Sequence, residues 1–189
     1  MKIEKSHPKI SFYRGPVTNL LPHASITLCD VYRGLVSGYY QALIEQLRAC
    51  SGVEEKRNIK KQLDYVTFAG TFKSRKCENL LRASTYLCID LDHLEEDQLN
   101  PTKERLLNDS LFETELLFTS PGGKGLKWVV AVDLESYDYT TNYLGVLAYL
   151  KKVHHLGAYI DTTGKDIARA CFMSHDPEAY LHPKYLNER

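Results

Sequence analysis

Asp90 and Asp92 close an apolar run, Thr85-Tyr-Leu-Cys-Ile-Asp-Leu-Asp92. In a β-strand successive side chains point to opposite faces. Leu87, Ile89 and Leu91 then share one face, and Tyr86, Cys88, Asp90 and Asp92 share the other. Both carboxylates leave the same face near the end of the strand, roughly 6–7 Å apart at two residues of strand rise. An ionised carboxylate is costly to bury unless it is paired or bound to a metal. A divalent cation with hard oxygen ligands, Mg2+ or Mn2+, is the natural compensation. The plainer reading is a strand that simply ends, its acids capping a turn into His93-Leu-Glu-Glu-Asp97.

Two other stretches offer chemistry that such a pair would need. Ala158-Tyr-Ile-Asp161 is a second short apolar run ending in an acid, which makes Asp161 a candidate third carboxylate. Ser120-Pro-Gly-Gly-Lys-Gly125, followed by Leu126-Lys127, reads as a hairpin loop between two strands. Its glycines let backbone N–H groups approach an anion, and Ser120, Lys124 and Lys127 add donors. The loop lacks the spacing of a Walker A motif, and a glycine-rich hairpin loop is by itself more often just a turn. Lys73, Arg75, Lys76 and Arg82 form the densest basic cluster, just upstream of the acidic strand. They read either as a solvated face or as a rim that binds phosphate and nucleic acid. Two-metal nucleotidyl transfer uses this combination: carboxylates hold two cations about 3.5–4 Å apart, with positive and backbone donors on the phosphates.

The elements that would position these residues follow from spacing. Lys9–Arg14 reads as a first strand ended by Gly15-Pro16. A helix starts at Thr27 and Asp30, and Gly34 and Gly38 weaken it and leave room for a split in two. A charged surface helix covers Val53 to Leu63, and Asp64–Lys73 reads as one strand with a glycine near its end. Pro101–Asn108 reads as a helix, Glu113–Thr119 and Leu126–Asp133 as strands. A helix capped by Asp138 carries an apolar stripe of Tyr143, Val146, Leu147, Leu150 and Val153, which is core. His154-His155 at its end favours the helix dipole, and Gly157 is the expected stop. A short strand leads from Ala170 to Ser174.

Composition narrows the class. The chain has 189 residues, 43% hydrophobic and 25% charged, with 24 acidic and 24 basic side chains. That is ordinary for one folded domain and argues against disorder. With zero net charge, nucleic acid would have to bind through a local patch. The five cysteines form no C-x-x-C pair, which argues against a disulfide framework or a zinc site and fits a reducing cytoplasm. No run is long enough to span a bilayer, so the expected location is cytoplasmic, with no membrane contact.

From Ile10 to Leu181 the chain resembles the N-terminal domain of the virulence-associated E proteins of Bacteroides-type bacteria and their mobile elements. That family is related to the archaeo-eukaryotic primase (primase–polymerase) superfamily. The resemblance rests on Thr67-Phe-Ala-Gly-Thr-Phe-Lys73 leading into Tyr86–Asp92, on Thr119–Lys127, and on Ile160–Arg169 before Cys171-Phe-Met-Ser-His-Asp-Pro177. It implies an α+β fold of the RRM-like primase type: a mainly antiparallel central sheet with flanking helices. The 189 residues would form one primase-like domain, an N-terminal portion over about 9–66 packed as a lesser lobe beside a catalytic-type core over about 67–181. It implies that Asp90, Asp92 and Asp161 are the metal-holding catalytic carboxylates. Ser120 and Lys127 match its phosphate-binding motif; Lys124 and Arg169 are further candidates for nucleotide phosphates, and Lys73, Arg75 and Lys76 for nucleic acid. Asp166 and Arg169 match a further pair whose role the resemblance does not specify. Lys127 stands where many members carry histidine; it can hold phosphate as a point charge but cannot do a histidine's acid–base work near neutral pH without a depressed pKa.

The leading expectation is a primase/polymerase-like nucleotidyltransferase in DNA replication of a mobile element or phage-like system. It would take Mg2+ or Mn2+, template and primer DNA and an NTP or dNTP, with a helicase as domain or partner. Lys127 and the neutral net charge favour a second reading, a non-catalytic nucleotide- or nucleic-acid-binding module on the same fold. A nucleotide-sugar glycosyltransferase also uses Asp-x-Asp, but Asp161 and the absence of an early βαβ unit weigh against it.

Overall fold

The strand from Tyr86 to Asp92 separates its two side-chain sets as its alternation dictates, and the fold is built on both faces. A computed structural model describes residues 7–186. In order, the chain forms β1 (Ile10–Tyr13), β2 (Ala24–Ile26), α1 (Leu28–Val36), α2 (Gln41–Ala49), α3 (Val53–Gln62), β3 (Tyr65–Thr67), β4 (Gly70–Phe72) and β5 (Leu80–Ala83). Then follow β6 (Tyr86–Asp92), α4 (Glu96–Leu107), β7 (Thr114–Thr119), β8 (Gly125–Ala131), α5 (Tyr139–Val153), β9 (Cys171–Phe172) and β10 (Tyr180–Leu181).

The fold is mixed α+β, with antiparallel strand pairing throughout the described sheets. One four-stranded sheet has the order β10-β7-β8-β6, a second the order β2-β1-β3-β9, and β4 pairs with β5 alone. Leu87, Ile89 and Leu91 of β6 join Leu126, Trp128 and Val130 of β8 in a core covered by Leu106 of α4 and Tyr143, Val146 and Leu150 of α5. On the opposite face Tyr86 and Val129 meet Ile10, Val66, Leu28, Leu35 and Ile44 in a second core beneath the other sheet and the N-terminal helices. Asp90 and Asp92 lie on this second face, farther along the strand than Tyr86 and Cys88. Fully burying each of these large apolar side chains contributes about 1.5–3 kcal/mol, so the register that sets the acids is fixed by both cores.

Several boundaries differ from the sequence reading for identifiable reasons. The expected single central sheet is two four-stranded sheets with a separate β4–β5 pair. The N-terminal portion is built into the body of the fold: β1 and β2 belong to a sheet that β9, from the far end of the chain, completes. The expected strand over 64–73 is two strands in different sheets. Gly70, at a φ of +153°, makes the break, and a Cβ there would run into the Arg82 carbonyl. The helix expected at Pro101–Asn108 begins earlier, at Glu96. The Glu95 side chain and Gln98 satisfy one another's backbone N–H groups there, so Pro101 falls inside the helix. Gly157 does not end α5; His154 is its C-cap and His155 takes the left-handed turn at a φ of +56°. The His154 imidazole lies 2.6 Å from the buried Asp109 carboxylate, a specific partner beyond the helix dipole. The split at Gly38 does occur, at a φ of +78° between α1 and α2. Thr27 and Asp30 form the capping box that starts α1, and Asp138 caps α5 through the Thr141 N–H.

Candidate metal centre

β6 and β8 run side by side so that Asp90 faces Lys127 and Asp92 faces Gly125. Only glycine fits at 125, because a Cβ would collide with the Leu91 carbonyl and come within 3.2 Å of Asp92 Oδ1 and of Ser120 Oγ. The segment before Asp161 lies against the other edge of β6. Leu91 bridges to Ile160, Asp92 N donates to Tyr159 O (2.7 Å), and Asp161 N donates to Asp90 O (2.9 Å). Tyr143 of α5 fixes this strap by donating to the Asp161 carbonyl (2.7 Å). Asp90, Asp92 and Asp161 therefore converge: one carboxylate oxygen from each lies within 4.8 Å of the others, and all three residues are half-buried.

The three carboxylates are held differently. Lys127, with its side chain 9% exposed, forms an ion pair with Asp90 Oδ2, while Asp90 Oδ1 is buried with no hydrogen-bond partner. Burial pushes the Lys127 ammonium below its ordinary pKa. Asp161 Oδ1 accepts from the Thr163 N–H (2.9 Å) and hydroxyl (2.7 Å), and Oδ2 from Arg169 (2.9 Å). Asp92 makes neither an ion pair nor a side-chain hydrogen bond among the described residues. Three carboxylates against two cations leave one net negative charge, in a place where desolvation makes it costly.

Burial pushes the Asp161 carboxyl up, but the Thr163 donors and then the Arg169 and Lys127 charges outweigh it, so its pKa falls below the ordinary carboxylate value. The buried Asp176 follows the same pattern: its burial is outweighed by the Thr119 N–H and by Lys103. A carboxyl with a depressed folded pKa gives stability that is complete above the unfolded value of about 3.9 and is lost as pH falls through the folded value. Urea midpoints should thus hold steady from neutrality down to about pH 5 and drop below about pH 4. Asp176→Asn should flatten that acid drop, and an unchanged slope would remove Asp176 from the account.

Beside the carboxylates opens a cleft of about 230 Å³, lined by Lys60, Arg75, Lys127 and Arg169 together with Asp90 and Asp166. A smaller chamber of about 30 Å³ lies against it and shares Asp90, Lys127 and Arg169. Of the basic cluster read from sequence, Arg75 reaches the cleft; its guanidinium lies 5.0 Å above the Tyr65 ring and donates to the Val17 carbonyl. Lys73 and Lys76 are exposed and do not line the cleft. The structure does not bring Ser120 and Lys124 into the cleft either: Ser120 is buried and tied by its N–H to Gly125 O (2.8 Å), and Lys124 is exposed. Lys127 and Arg169 do line it.

Two residues went unnoticed in the sequence. Lys60 sits on a helix that reads as a solvated charged face, yet its ammonium lies 5.7 Å over the Phe172 ring at the cleft wall. Arg48 of α2 donates to the carbonyls of Ser120, Pro121 and His175 and so clamps the hairpin loop from outside it. No local signal marks either residue, since both act across the two sheets.

The fold and site define an α+β domain in which an acidic trio faces a basic cleft. The chain belongs to the BT4734-like N-terminal domain family, whose model matches residues 58–181. The matched span contains the three carboxylates and the four cleft cations; β1, β2, α1 and α2 lie before it. No curated protein and no solved structure matches the chain. Among the described residues no helix is long and apolar enough to cross a membrane.

Proposed function

We propose that this chain is a metal-dependent nucleotidyltransferase domain of the primase/polymerase type, on an RRM-like fold related to the virulence-associated E and archaeo-eukaryotic primase families. It would act in the cytoplasm, in replication of a mobile element or phage-like system, on template and primer DNA beside a helicase. The observation that carries the reading is the convergence of Asp90, Asp92 and Asp161 within 4.8 Å beside a cleft of four cations.

The residues fit a hard divalent cation. Their donors are carboxylate oxygens, and the buried Asp90 Oδ1 has no other partner. Asp90, Asp92 and Asp161 would hold Mg2+ or Mn2+, which would supply charge neutralisation for a polyphosphate and acidify an attacking hydroxyl. Arg75 and Arg169 present planar forks suited to phosphate oxygens, and Lys60 and Lys127 act as point charges. Lys127 also holds the Asp90 side chain in place. Exposed Lys73 and Lys76, outside the cleft, suit the DNA backbone.

A second reading, a nucleotide- or DNA-binding module without turnover, is favoured by the Lys127–Asp90 and Arg169–Asp161 pairs, which neutralise two of the three acids internally. Primer extension with purified protein, labelled dNTPs and Mn2+ separates the two. The enzyme reading expects template-directed incorporation that a chelator stops. DNA binding with no incorporation under any divalent metal would leave the binding module.

A further inference from the structure

Cys88 and Cys171 meet where the two sheets face one another. Cys88 lies on β6 opposite Val129, and Cys171 lies on β9 opposite Val66. Their sulfurs are 4.0 Å apart although the residues are 83 positions apart in sequence. Both thiols line the 30 Å³ chamber together with Lys127 and Arg169. A single water needs roughly 10–15 Å³ of such space, so the chamber admits a molecule of peroxide size. Two thiols within reach of one another and of a small oxidant can pass through a sulfenic acid to a disulfide.

We propose that Cys88 and Cys171 form an oxidation site, closed by peroxide to a reversible disulfide that ties β6 to β9. The Cys171 sulfur attacks one peroxide oxygen; the S–O bond forms, the O–O bond breaks, and the departing hydroxide takes up the thiol proton as water. The Cys88 sulfur then attacks the sulfenic acid; the S–S bond forms, the S–O bond breaks, and a second water leaves with the Cys88 proton. Two thiols lose two electrons and peroxide gains them. A disulfide needs sulfurs about 2.05 Å apart, so the pair must close by about 2 Å. β9 is an edge strand of two residues, hydrogen-bonded on one side only to β3, and it can make that shift. The inference is independent of nucleotidyl transfer, since it requires only the sheet packing.

Peroxide treatment of the folded protein, followed by unfolding, alkylation and non-reducing digestion, tests it. Of the five free thiols, Cys88 and Cys171 should be lost to alkylation together, in one linked peptide pair lighter by about 2 Da and released by dithiothreitol. The proposal is overturned if both thiols remain alkylatable once the exposed Cys77 has oxidised. It is equally overturned if Cys171 is recovered linked to another cysteine.

Discussion

Asp90→Asn is expected to lose nucleotide incorporation by at least about a hundredfold, because losing even about 3 kcal/mol of transition-state charge stabilisation exceeds two factors of ten. The amide keeps the shape but gives up the negative charge. It also removes the partner of Lys127, which is almost fully buried. Breaking a buried pair from one side is destabilising, so activity alone does not distinguish a lost site from a lost fold. The informative comparison is Asp90→Asn with Lys127→Met in one chain, which removes both charges together. The double variant should recover the urea midpoint that Asp90→Asn loses and remain inactive. Recovery of activity along with stability would show that Asp90 serves the fold and not the chemistry.

Lys127→Met makes the opposite test. Without metal it leaves Asp90 beside Asp92 and Asp161 with Arg169 as the nearest cation of the trio, and its unfolding free energy should fall by about 3 kcal/mol, the low end for a broken buried pair. The low end applies because the Asp90 side chain keeps 19% of its exposure. A divalent cation that binds only the folded form restores stability by mass action, about 2.7 kcal/mol at a hundred times its dissociation constant. Mn2+ should therefore raise the urea midpoint of Lys127→Met more than that of the wild type, whose lysine already occupies one Asp90 oxygen. An equal Mn2+-induced rise in the two proteins would mean that lysine and metal do not compete for that carboxylate.

The acidic strand was legible because it combines two simple signals: alternation that places Asp90 and Asp92 on one face, and a run of apolar residues long enough to fix the register. Asp161 was legible as the end of another apolar run, although only the strap from Tyr159 to Asp161 shows why it reaches β6. The two-sheet layout was not. β2, β9 and β10 have two or three residues each, too few to show a period, and β9 finds β3 from the far end of the chain. The division of the basic residues was hidden for the same reason. Arg75 enters the cleft while its neighbours Lys73 and Lys76 do not, and Lys60 arrives from a helix whose charges look uniformly solvated. The Ser120 hairpin carried the right residue types, but its loop is held by Arg48 and reaches the cleft wall through Pro121, while Lys127 is the polar residue of the hairpin that lines it.

The central claim is that the three carboxylates together hold a divalent cation, and Asp92 allows the cleanest test because among the described residues its carboxylate carries no ion pair to disturb. Mn2+ titration followed by calorimetry or by loss of the free-ion electron spin resonance signal measures binding without any substrate. Wild-type protein should bind saturably, and Asp92→Asn should bind at least about tenfold more weakly, the least expected when even a supporting group of a metal site is lost, with a urea midpoint in chelator no lower than that of the wild type, because the unpaired charge is gone. Equal affinity in the two proteins, or no saturable binding to the wild type, would contradict it.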